Sequence, residues 1–152
     1  KPNLFKSSFL QSSDKVAKYL LKEGDILLTG KGNRLFAWAY TTDLGLVVPS
    51  SLFFVLRVKS DIIKGEYLAE MLNSDKMQHQ LHQIAAGASI LSIPKGELMK
   101  LKISTPPISD QEKLCEAAKN LDQNIALTKK LLQQKQILKR GLINKYTNLQ
   151  TS

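Results

Sequence analysis

A single cysteine, Cys115, stands in 152 residues, so the chain has neither an internal disulfide nor a cysteine-based zinc site. It lies beside an apolar stripe, and an inert buried thiol is expected there. No stretch approaches the ~18–20 apolar residues of a membrane span, and no signal peptide is expected. The expected compartment is therefore the cytoplasm. The first residue is Lys1, not Met, so a longer natural N-terminus is expected. No proline follows Pro107, and the first glycine beyond it is Gly141. Nothing acidic follows Asp122.

What is present is positive charge. The chain carries a net +9, with 22 Lys and Arg against 13 Asp and Glu. Lys129, Lys130, Lys135, Lys139, Arg140 and Lys145 fill the acid-free end. Cations at a helix C-terminus complement its dipole. That accounts for two or three of them, not the whole half-helix. An excess of this kind favours a polyanionic partner, nucleic acid above all.

The breaker-free stretch follows Thr105-Pro106-Pro107-Ile108-Ser109-Asp110-Gln111-Glu112. Proline lacks an N–H and fixes φ, so the pair ends whatever precedes it. Ser109 and Glu112 have the spacing of a capping box. Apolar residues then recur at spacings of four and three, at Leu114, Ala118, Leu121 and Ile125. The seam continues less cleanly through Leu131, Leu132, Leu138 and Leu142 toward Tyr146 and Leu149. A helix from Asp110 to Asn148 would be about 60 Å long at 1.5 Å per residue. A domain of this size cannot cover it, so it needs a partner helix.

Before the joint, the patterning is mixed. Asp25–Thr29 reads as a buried strand between Gly24 and Gly30. Residues 34–40 and 52–58 read as further strands, the latter rich in aromatic and branched residues. Leu46-Val47-Val48 is short and apolar. Tyr67, Leu68, Met71 and Leu72 share one helical face. A second helix starts at Ser74-Asp75, carries Met77, Leu81 and Ile84, and stops at Gly87. Ile90–Ile93 and Leu101–Ile103 are short strand candidates around a Pro94-Lys95-Gly96 turn. The expected fold is α+β: a globular head over 1–107 with short strands and helices, then a long helix over 108–152 that pairs as an antiparallel coiled coil.

Catalytic motifs are missing. Gly30-Lys31-Gly32 suggests a phosphate loop, but the spacing from Gly24 is one residue too long and Gly32 replaces the hydroxyl residue. His79 and His82 share a helical face with no third metal ligand nearby, so an exposed pair is expected and no metal. Asp110, Glu112 and Lys113 loosely resemble a nuclease triad, yet capping accounts for them. A methyltransferase-type Asn/Asp-Pro-Pro-aromatic motif is absent, as is any clustered serine, histidine and acid. No catalytic residue and no cofactor are assigned.

Basic loops are the better candidates. Lys31, Asn33 and Arg34 lie in a glycine-containing turn between two expected strands. Arg and Lys can bond guanine edges, and Asn can bond adenine. Gly87-Ala88-Ser89 and Lys95-Gly96 are further small loops, and Ser89 and Lys95 join the candidate DNA contacts. Trp38 and Tyr40 follow on a strand, where Trp38 belongs in the core. Singly, each of these loops reads as a solvated turn; together, with the net charge, they favour a reader of nucleic acid.

These residues resemble a known family. Gly87-Ala88-Ser89-Ile90, Leu91-Ser92-Ile93, Leu101-Lys102-Ile103 and the Pro106-to-Glu112 joint look like specificity subunits of type I restriction-modification enzymes. Leu121–Ile125 and Lys139–Leu142 resemble that family's long helix, and Gly24-Asp25-Ile26-Leu27 resembles a strand of its recognition domains. The resemblance covers roughly residues 20–148. It implies a non-catalytic subunit whose recognition domains read double-stranded DNA. Its helices set their separation and dock methyltransferase subunits, which use S-adenosylmethionine. A restriction subunit cuts DNA with ATP. Typical members hold two recognition domains and two spacers; this chain has one of each, so it is a half-subunit or a fragment. Homodimerisation is expected through Leu114, Ala118, Leu121, Ile125, Leu132, Leu138 and Leu142. The rival readings are a coiled-coil adaptor with a protein-binding head and a binder of structured RNA.

The long helix is testable directly. Leu121→Pro should break it, at a local cost of ~3 kcal/mol or more. The loss should show as reduced helical circular dichroism and altered pairing.

Overall fold

The structure is a computed structural model of the chain. It describes residues 18–32, 34–42, 45–58, 61–85 and 91–149. Three strands, β1 (Ile26–Thr29), β2 (Ala37–Ala39) and β3 (Phe53–Leu56), form an antiparallel sheet with β1 in the middle. Two helices follow, α1 (Gly65–Asn73) and α2 (Asp75–Ala85). A four-residue helix α3 (Lys95–Leu98) and the long helix α4 (Ile108–Leu149) complete the order. The α+β expectation holds. The chain divides into two compact units, Lys1–Ile108 and Ser109–Ser152.

The sheet has two covered faces. Ile26 pairs with Ala39 and Leu56, and Leu28 with Ala37 and Phe54. Side chains alternate across a strand. This set therefore points one way, into a core with Leu35, Ala69, Leu72, Met77, Leu81, Ile93 and Leu98. Leu27 points the other way, among Leu21, Tyr40, Trp38, Val47 and Phe53. That double coverage explains why β1 reads as a continuous apolar run. Trp38 is a half-buried core residue, edge-on to Tyr40 at 6.3 Å between ring centroids.

Several elements differ from the sequence reading. The second strand is only Ala37–Ala39, because the Thr29 hydroxyl takes the Phe36 N–H that would otherwise complete a ladder pair at its start. Leu101–Ile103 is not a strand, and Ser92 makes an isolated bridge to Lys31. Lys95 and Gly96 open a helical turn where a loop is expected. The long helix begins at Ile108, so Ser109 stands inside its first turn and not ahead of it. Proline is tolerated at a helix start, which lets the chain enter helical geometry directly from Pro107.

The long helix has 42 residues, about 60 Å of length. Leu121, Leu132 and Leu138 are each more than half exposed, and Leu114, Ile125 and Leu142 only slightly less so. Cys115 is half-buried, not fully buried. Its first turns hold Gln111, one of three buried polar residues among those described, with Asp25 and Thr29.

Asp25 anchors the sheet at its root. The guanidinium of Arg57 grips it with two bonds, Nε to Oδ1 at 2.7 Å and Nη2 to Oδ2 at 2.5 Å. The Lys22 N–H adds a third at 2.8 Å. Burial alone would push the carboxyl up, but the Arg57 and Lys22 bonds outweigh it and hold it below its ordinary value. The depressed value means the stabilisation is full above the ordinary carboxylate range and is lost as pH falls through the folded-state value. Asp25→Ala should therefore lower stability at pH 7 by on the order of 2 kcal/mol, with the gap to the parent closing in acid. Urea titrations from pH 7 down to about pH 3 would show both trends.

Candidate nucleic-acid interface

The turn between β1 and β2 is built by one hydroxyl. Thr29 Oγ1 donates toward the carbonyls of Arg34 (2.9 Å) and Phe36 (3.2 Å) and accepts the Phe36 N–H at 2.7 Å. The Thr29 N–H also donates to the Phe36 carbonyl. Arg34 is thus carried on a fastened turn, not a loose one. On its other side, the Asn73 amide brackets Ala37: its Oδ1 accepts the Ala37 N–H and its Nδ2 donates to the Ala37 carbonyl, both at 2.8 Å. A side-chain amide thereby satisfies the outer edge of β2, where an unpaired strand edge would otherwise lie.

The Gly30–Gly32 segment is tied to the chain around Ser92. Ile93 N–H donates to the Gly30 carbonyl at 2.9 Å, and Gly32 N–H to the Leu91 carbonyl at 3.0 Å. Lys31 bridges to Ser92 between them. The fold thus sets the Lys31 backbone against a segment that reaches Lys95 three residues later. Lys31, Arg34 and Lys95 are exposed. None forms an ion pair with a described residue. Candidates Asn33 and Ser89 lie outside the described residues.

Sequence reasoning missed three contributors. Thr29 reads as the last residue of a buried strand, and its clamp needs the turn to double back on it. Asn73 is 36 residues from Ala37, and no local pattern reports that contact. Arg57 meets Asp25 because the β1–β3 register, extended by one pair beyond Ile26 and Leu56, sets them opposite each other. Among the described residues no group of three or more His, Cys, Asp or Glu is placed to hold a metal, and no helix is long and apolar enough to cross a membrane.

Lys31 and Arg34 have no ion-pair partner among the described residues, and exposed cations are side chains of the kind that neutralise phosphates. Residues 2–135 match the model of the type I restriction modification DNA specificity domain, and the chain belongs to that family. It is accordingly a DNA specificity component of a type I restriction-modification system, a family that is in general non-catalytic. No curated protein matches the chain.

Thr29→Val removes the clamp while keeping the shape. The Phe36 N–H loses its acceptor, so a loss of about 1–3 kcal/mol is expected. Amide exchange at Phe36 should accelerate well beyond that at Leu28, which would locate the loosening in the turn.

Proposed function

We propose that residues 1–107 read one half-site of a bipartite duplex target, and that residues 108–152 form the spacer that sets the distance to a second reader. The observation that carries the first part is the fastened turn bearing Lys31 and Arg34, cations without ion-pair partners among the described residues. Their long side chains reach from a backbone held on both flanks. Lys31 and Arg34 lead the set of contacts, with Asn33, Ser89 and Lys95 completing it.

The second part rests on the exposed seam of the long helix. Leu114, Ala118, Leu121, Ile125 and Leu132 keep a heptad rhythm. The next two seam positions are Lys135 and Lys139, the seam becomes apolar again at Leu142, and Leu138 stands on an adjoining row. A shift of this kind alters packing locally. A second copy, running antiparallel, covers the seam. It brings the half that holds Asp110, Glu112, Glu116 and Asp122 beside the basic half of its partner. Parallel pairing would instead align Lys129 to Lys145 with their own copies. Two-fold symmetry then requires an inverted, gapped target. The remaining helix surface docks methyltransferase subunits, and a restriction subunit joins the larger complex.

Duplex binding should weaken steeply with salt, with a log–log slope of about −0.9 for each phosphate contacted. Lys31→Ala with Arg34→Ala should flatten that slope; an unchanged slope in fluorescence anisotropy would remove both residues from the interface. Separately, Leu121→Asp with Ile125→Asp should convert the dimer to monomer in sedimentation, leaving the head folded. A pair that survives this change would show that the seam is not the interface.

A further inference from the structure

The turn that carries Arg34 also forms one wall of an open cleft of about 350 Å³. Its walls are Arg34, Leu35 and Phe36 from the approach to β2, Asn73 from the end of α1, and Gln78 and His82 from α2. None of the six is acidic. Arg34 and His82 are exposed, and no hydrogen bond or ion pair from either side chain to a described residue exists. The two amides are already occupied. Asn73 is spent on both sides of Ala37, and Gln78 donates to the Leu72 carbonyl at 2.7 Å. These bonds fix the α1–α2 corner and leave the arginine and the histidine as the cleft's two polar side chains without a partner among the described residues.

We propose that this cleft seats a phosphate of the DNA backbone, gripped by Arg34 from one wall and by His82 from the other. The proposal rests on the DNA-reading role of the head, and it adds a contact from α2 to those of the turn. Arg34 supplies a permanent charge and a planar fork suited to a phosphate. His82 offers a ring N–H as a hydrogen-bond donor to a phosphate oxygen. Among the described residues Arg34 is the only formally charged side chain that lines the cleft with His82, and α1 contributes there only the neutral Asn73. On α2 itself stand Asp75, Lys76 and His79. From α3, which packs on α2, come Lys95 and Glu97, and Glu97 is bound to Lys100 at 2.7 Å. Glu97 and Asp75 do not line the cleft. A phosphate there meets no carboxylate among the described lining residues. The arrangement also gives the two histidines different roles: His82 is in the cleft and His79, one turn earlier, is not.

The test is duplex binding by the full chain across salt for the parent, His82→Ala, His79→Ala and Arg34→Ala. His82→Ala should bind roughly three- to tenfold more weakly than the parent. His79→Ala should bind like the parent, and Arg34→Ala should show a salt slope shallower by about 0.9. His82 is exposed, so His82→Ala is expected to fold, and matching melting curves would verify it. Parent-like affinity of His82→Ala overturns the cleft contact and leaves the DNA reading intact. Absence of salt-sensitive duplex binding by the parent, or a clear preference for RNA over the duplex, overturns the DNA reading and this contact with it.

Discussion

The carboxylate of Asp25 joins three parts of the head at one point. The Lys22 N–H holds it from the segment before the sheet, and Arg57 holds it from the end of β3. Its backbone carbonyl accepts the Tyr40 N–H just past β2. All three strands are therefore registered at the same end. Desolvation opposes a buried carboxylate, so the site is stable only because each oxygen is bonded. With the root fixed, the far end of the sheet is also fixed. That end carries Thr29, the turn with Lys31 and Arg34, and the bridge to Ser92.

The approach of α1 to this root is equally tight. A Cβ at Gly65 would collide with the carbonyl oxygen of Gly24. Gly24 itself sits at φ +79°, which side-chain-bearing residues rarely adopt. The helix start therefore sits against the strand entry. From there α1 runs to Asn73, whose amide closes the edge of β2. Root, helix and edge form a loop of constraints that holds the basic turn rigidly. Rigidity matters for a reader, since phosphate contacts set register only when the side chains that make them start from a fixed frame. The long helix works differently. Its apolar side chains are left exposed along most of its length, so its stability depends on what packs against it.

Much of the secondary structure was legible from composition and spacing. The buried strand at Ile26–Thr29, the two short helices and the long helix follow from local signals: a run of apolar residues between glycines, periodic apolar faces, and two prolines opening a breaker-free stretch. The errors fall where a distant group replaces a local one. Residues 34–36 look like strand, but a threonine hydroxyl takes the Phe36 N–H and the Arg34 carbonyl away from the ladder. Leu101–Ile103 has strand composition and pairs with no strand.

The sequence by itself determined the periodicity, the charge and the family likeness, because each is a property of neighbouring residues and needs no third dimension. Lys31 and Arg34 were visible for the same reason: they are basic residues between two strand-like runs. Only the tertiary structure decided what holds them. The Asp25–Arg57 pair, the Asn73 bracket and the shared lining of one cleft by Arg34 and His82 bring together residues far apart in the chain. Such contacts depend on strand register and on the corner between two helices, and no local preference encodes either one.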